Sequence, residues 1–136
     1  MKIVNKLMML SIGAGSIPKS KEFYADKLGL KVTKDYRIDD DNWWVGLALS
    51  EGGATITLAR AKGFPNVKQG TVSLYFETPD VAAAHKKLKE KGVKVNAIMD
   101  DLFGPGSGVK FFNFEDPDGN LVHLAQAHEY TPSTPF

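Results

Sequence analysis

Residues 90–95 read EKGVKV, and residues 27–32 read KLGLKV. The two stretches agree in length, in the placing of a glycine and in the closing Lys-Val. A repeat at so wide a spacing fixes the organisation of a chain before any single element does. Upstream of each lies a helical pattern. Ser16 and Thr78 are followed closely by Pro18 and Pro79, which fits a helix N-terminus, where a side-chain oxygen caps free N–H groups and proline loses no bond. Gly29 and Gly92 then supply a left-handed stop. Downstream, ATITLA at residues 54–59 corresponds to NLVHLA at residues 120–125, so Ile56 matches Val122, Thr57 matches His123 and Leu58 matches Leu124. Each half therefore predicts strand, helix, then several strands. Glu51-Gly52-Gly53 turns the first set and Asp116-Pro117-Asp118-Gly119 the second.

The 136 residues are one domain's worth of chain, with ordinary globular composition at 43% hydrophobic and 24% charged. Seventeen Lys+Arg against sixteen Asp+Glu leave a net charge of +1 with no basic cluster, which argues against a nucleic-acid partner. The chain has no cysteine, so disulfides, thiolate catalysis and thiolate metal sites are excluded. MKIVNKLMMLSIGAGS at residues 1–16 resembles a secretion signal superficially, but its apolar part is short and broken by Ser11. A first strand is the better reading, and a cytoplasmic location is expected. No apolar run is long enough to span a membrane.

These halves resemble the vicinal oxygen chelate superfamily, which includes glyoxalase I, bleomycin-resistance and fosfomycin-resistance proteins, and extradiol dioxygenases. SIPKSKEFYADKLGLKV, TPDVAAAHKKLKEKGVKV and FEDPDGNLVHL carry the resemblance over nearly the full length. It implies an α+β fold of two paired βαβββ modules, whose curved mixed sheets form an internal cup with the helices outside. The expected boundaries are residues 1–62 for module one, 63–69 for a linker, 70–127 for module two and 128–136 for an extended tail. GPGSG at residues 104–108 reads as a flexible loop. The resemblance also implies a homodimer.

Period-two alternation assigns each strand a core side and an opposite side. Ile56, Leu58, Val72, Leu74, Phe76, Phe112, Phe114, Val122 and Leu124 form the apolar set. Their alternates include Thr57, Thr71, Ser73, Tyr75, Phe111, Asn113 and His123. A sheet face open to bulk water usually carries Lys, Glu and Arg, whereas hydroxyls, an amide, aromatics and an imidazole suit a ligand pocket. By the same parity Trp43 goes to the core with Val45 and Leu47, and Trp44 joins the pocket as a stacking plate. His85 flanks the apolar stripe Val81, Ala84, Leu88 as a surface residue, and Asp39-Asp40-Asp41 reads as a solvated loop.

The resemblance places metal ligands on the first and last strand of each module, which here means Met9, Thr57, Thr71 and His123. Of these, His123 alone suits a transition metal, so neither a metal nor another cofactor is expected. His123 has three readings. It is a wall of a small-molecule pocket, a general base working near neutral pH, or a hydrogen-bonded structural histidine. The first makes the protein a metal-free binder that sequesters a ligand or confers drug resistance. The second makes it a glyoxalase-like lyase or isomerase acting on a small oxygenated metabolite, with His123 as the catalytic residue. The sequence leaves open whether the chain is an enzyme.

Overall fold

A computed structural model describes residues 1–61 and 69–126. The expected linker, apart from Gln69, and the expected tail, with His128, lie outside the described residues. The elements follow the repeat. The first half runs β1 (Met9–Gly13), α1 (Ile17–Lys21), β2 (Lys31–Asp39), β3 (Asn42–Ala48) and β4 (Thr55–Ala61). The second runs β5 (Ser73–Thr78), α2 (Val81–Glu90), β6 (Phe111–Glu115) and β7 (Leu121–Gln126). Among the described residues these strands form a four-stranded sheet ordered β1-β4-β3-β2 and a three-stranded sheet ordered β5-β7-β6. Both sheets are mixed, with β1 parallel to β4 and β5 parallel to β7, and the fold is α+β.

The chain divides into two compact units, Met1–Val72 with Pro117–Gly119, and Ser73–Asp116 with the chain from Asn120. In the first, Ile12, Ile17, Tyr24, Val45, Leu47 and Leu58 are sealed from solvent, so the helix side of the sheet holds the core. In the second, Leu74, Val81, Leu88, Phe112, Phe114 and Val122 do the same. Apolar side chains collect where the helix covers the sheet because burial removes their surface from water. Strand parity predicted the core places of Val45, Leu47, Leu58, Leu74, Phe112, Phe114 and Val122. Three expected core residues are less covered: Val72 precedes β5, and Phe76 and Trp43 are half-buried. Trp43 lies instead at a groove of about 320 Å³ with Pro18, Ala25 and Val32, and its indole Nε1 donates to Asp35 Oδ1 at 2.7 Å.

The helix ends confirm part of the repeat and correct part. Ser16 caps α1, accepting from Lys19 N, and Gly29 and Gly92 have φ of 84° and 83°. Thr78, however, ends β5, and the cap of α2 is Asp80, whose carboxylate accepts from Ala83 N at 3.0 Å. α1 does not keep its pitch: Glu22–Lys27 continue it as a π-helical turn, with Leu28 N donating to Phe23 O at 3.0 Å. The expected fourth strand of the second half is reduced to a bridge between Met99 and Phe111. Asn96 N donates to Asn113 O and Met99 N to Phe111 O, so three residues on one side step against two on the other. A regular ladder needs equal steps, and this mismatch ends it. His85 is not a plain surface residue. Its Nε2 lies 3.0 Å from Asn96 O, and its ring meets Phe112 edge-on at 5.0 Å. The acidic run is tied into ion pairs, Asp40 with Arg37 and Asp41 with Arg60.

Candidate functional site

The register of the second sheet aligns its helix-free face into three rows: Ser73, Leu121 and Glu115; Tyr75, His123 and Asn113; Glu77, Ala125 and Phe111. The middle row is the centre of the site. Tyr75 and His123 stack face to face, with centroids 4.2 Å apart and planes 4° from parallel, and Phe111 lies 6.3 Å from His123 at a tilt of 45°. The covering is uneven. His123 is 6% exposed, whereas Tyr75 is 62% exposed.

Neither ring nitrogen of His123 has a hydrogen-bond partner among the described residues, although both atoms are buried. The reading of a hydrogen-bonded structural histidine therefore does not hold. Burial also pushes the imidazole pKa below its usual value, because the protonated ring would lose its hydration, so His123 is neutral at pH 7. Asn113 is already engaged: its Oδ1 accepts from Asn96 Nδ2 at 2.5 Å.

At one end of this face lies a groove of about 170 Å³ lined by Tyr75, Glu77, Leu102, Phe103, Val109 and Ala125, among others. The sequence predicted a flexible loop here, and the structure shows an internally bonded one. Asp101 Oδ1 accepts from Gly108 N at 2.7 Å, Gly104 N donates to Asp101 O at 3.0 Å, and Leu102 N donates to Val109 O at 3.1 Å. Asp101 has φ of 62°, a conformation that Asp tolerates better than most residues when its side chain bonds locally. The result is a shaped loop that presents Leu102 and Phe103 to the groove. Their part in the site was not legible, because only the loop's fold brings them back to the sheet.

In the first unit, the corresponding row is Ser11, Thr57, Gly46 and Lys34. Thr57 is buried, and its hydroxyl bonds the Ser11 hydroxyl at 2.7 Å. Sequence reasoning missed Ser11, since alternation gives a face but not a parallel register. Met9 stands opposite Thr55, one pair away along the same face. Trp44 lies on this face beside Tyr36 and is partly exposed. Thr71 is exposed and precedes β5, and Ser73 is the exposed first residue of that strand. Thus Tyr75, Phe111, Asn113 and His123 come together in one unit, with Ser73 in the adjacent row. Trp44, Thr57 and Thr71 belong to the other.

A sequence profile of the Glyoxalase/Bleomycin resistance protein/Dioxygenase superfamily matches residues 6–124. The chain belongs to this superfamily. It is 30% identical over 125 residues to the "Uncharacterized protein YraH" of Bacillus subtilis (strain 168), covering 88% of this chain and 96% of that one. Its fold is similar to TnmS3, an antibiotic binding protein from Streptomyces sp. CB03234, with a TM-score of 0.78, 25% identity, and coverage of 94% of this chain and 100% of that one. A glyoxalase/bleomycin resistance protein from the same Streptomyces is similar at TM-score 0.70 and 26% identity, covering 90% of this chain and 100% of that one. Some members of the superfamily hold a metal, and the positions that would carry its ligands here are Met9, Thr57, Thr71 and His123. A thioether, two hydroxyls and one imidazole do not fit a divalent transition metal, and the Thr57 hydroxyl is already bonded to Ser11. Among the described residues no group of three or more His, Asp or Glu side chains is placed to hold an ion.

Proposed function

We propose that this superfamily member is a metal-free, cytoplasmic small-molecule binder that sequesters its ligand in the manner of a drug-resistance protein. One observation carries the reading: a buried, neutral imidazole with both nitrogens unpartnered, stacked against an exposed aromatic ring on the helix-free face of a sheet. A buried polar group without a partner costs roughly 1–3 kcal/mol, a cost that a ligand's hydrogen-bonding group would offset. The similarity to an antibiotic binding protein supports the same reading. The test is a thermal-shift screen of diverse antibiotics and aromatic metabolites, with hits measured by calorimetry in the wild type and in His123→Ala. Binding weakened at least tenfold by the substitution is expected. A screen with no hit, or hits indifferent to His123, would sink the proposal. Elemental analysis of protein purified without chelator should find far less than one transition metal per chain.

A lyase or isomerase remains the second reading. The neutral state of His123 favours it, because that is the form able to accept a proton. In that case His123→Ala would lose turnover with substrate affinity largely kept. We also propose a homodimer, on the ground that Tyr36, Ile38 and Trp44 of β2 and β3 leave apolar surface exposed. Light scattering that returned a monomer mass across the micromolar range would count against it.

A further inference from the structure

We infer that Asp118-Gly119 is the site at which this chain forms isoaspartate spontaneously, and that Gly15 and Ser20, on either side of the α1 cap, guard it. Conversion waits until their hydrogen bonds to Asp118 open. The inference is independent of the binder reading.

The reaction needs an Asp or Asn followed by a residue small enough to leave its amide nitrogen accessible. Asp118 is the only Asp or Asn of the chain that precedes a glycine. Asp116 precedes Pro117, which has no N–H to react. The Gly119 nitrogen attacks Cγ of Asp118; a C–N bond forms, the nitrogen loses its proton, and a carboxyl oxygen leaves as water. The five-membered succinimide then takes up one water. Opening at Cγ restores aspartate, whereas opening at the main-chain carbonyl leaves Gly119 joined through the former side chain. The atoms are unchanged overall, nothing is oxidised or reduced, and water is the sole co-reactant.

The structure sets two demands on this pair. Gly119 is exposed with φ of 87°, a conformation glycine adopts without cost, so the turn itself selects the labile neighbour. Asp118 is half-buried with both carboxylate oxygens held: Oδ1 accepts from Gly15 N at 2.8 Å and Oδ2 from Ser20 Oγ at 3.1 Å. Ring closure expels one of these oxygens, so at least one of the two bonds must break first. Chemistry open only to the released form proceeds in proportion to how often that form is populated. Conversion also sustains itself. Isoaspartate carries its carboxylate directly on the lengthened main chain, one carbon shorter in reach, and Ser20, 1% exposed, loses this acceptor.

The test ages the wild-type chain at neutral pH with and without concentrated urea. Tryptic peptides, 111–136 among them, are then analysed by mass spectrometry with electron-transfer fragmentation, which distinguishes the two linkages. We expect isoaspartate at residue 118 before any other site in urea, and at least about tenfold slower conversion in buffer. Ser20→Ala removes one of the two donors and should speed conversion in buffer by about fivefold, whereas Gly29→Ala, outside the guarding contacts, should change it by less than about twofold. Equal rates with and without urea, an earlier site elsewhere in urea, or no conversion at 118 in urea would each overturn the inference. So would indifference to Ser20→Ala, or equal acceleration by Gly29→Ala, which would show that global unfolding alone exposes the pair. The comparison with urea needs no variant and decides the matter if Ser20→Ala fails to fold.

Discussion

His123 sets two requirements against each other. Its nitrogens are buried and unpartnered, so the free protein carries a destabilising group at the place where we propose it binds. His123→Leu, which keeps the volume and removes the orphaned nitrogens, should raise unfolding free energy in urea by about 1 kcal/mol while weakening ligand binding. Val122→Asp, one residue away on the sealed side, should cost about 4 kcal/mol or more and abolish folding at moderate urea. The same burial gives a pH dependence. The folded pKa of His123 lies below its ordinary 6.5, so the unfolded chain takes up the proton first. Stability from this group is full above about pH 6.5 and is lost as pH falls towards the folded value. The difference between wild type and His123→Leu in urea midpoints from pH 7 to 5 should show that loss. A flat difference would contradict it. Strand parity separated Val122 and Leu124 from His123. It could not foresee how deeply His123 is covered, because parity names a side and says nothing of what Tyr75 does there.

Among the elements, the two helices show how far a repeat can be trusted. Matching Ser16 to Thr78 gave the right cap for α1 and the wrong one for α2, since Pro79 stands before Asp80 and the helix starts two residues later. Asp80→Ala should therefore cost about 1 kcal/mol in thermal or urea unfolding, as loss of a capping acceptor does, and Thr78→Ala clearly less. The reverse order would return the cap to Thr78. Glycine stops, hairpin turns and the apolar sides of the strands were legible because each is decided by neighbours in sequence. The π-helical turn of Glu22–Lys27 was not, because the same side chains fit either pitch and packing around Phe23 and Tyr24 makes the choice. Nor was the lost strand beside β6 legible. It depends on a step of three residues against two across the sheet, a property of two distant segments together.

For the molecule as a whole, the sequence divided the chain at residues 63–69, whereas contacts assign the turn Pro117–Gly119 to the unit that begins at Met1. Asp118 is the reason. Its carboxylate accepts from Gly15 N at 2.8 Å and from Ser20 Oγ at 3.1 Å, and its backbone oxygen would lie 2.6 Å from a Cβ added at Gly70. Gly70→Ala should thus combine strain at φ 72° with a clash, whereas Gly29→Ala carries the strain alone with open space around it. Thermal unfolding should show roughly 1–2 kcal/mol lost at Gly29 and more at Gly70. Equal losses would mean that Asp118 yields without cost. The turn also bears on how the protein is made. Chains emerge from the ribosome N-terminal end first, at about 5–20 residues per second, and early parts commonly fold while later ones are still being added. Here the first half emerges without the acceptor for the almost fully buried Ser20 and receives it only when Asp118 follows, 98 residues on. Nascent chains halted before that residue should be cut by protease in their first half faster than chains released beyond it, because the buried hydroxyl of Ser20 gains its acceptor only then.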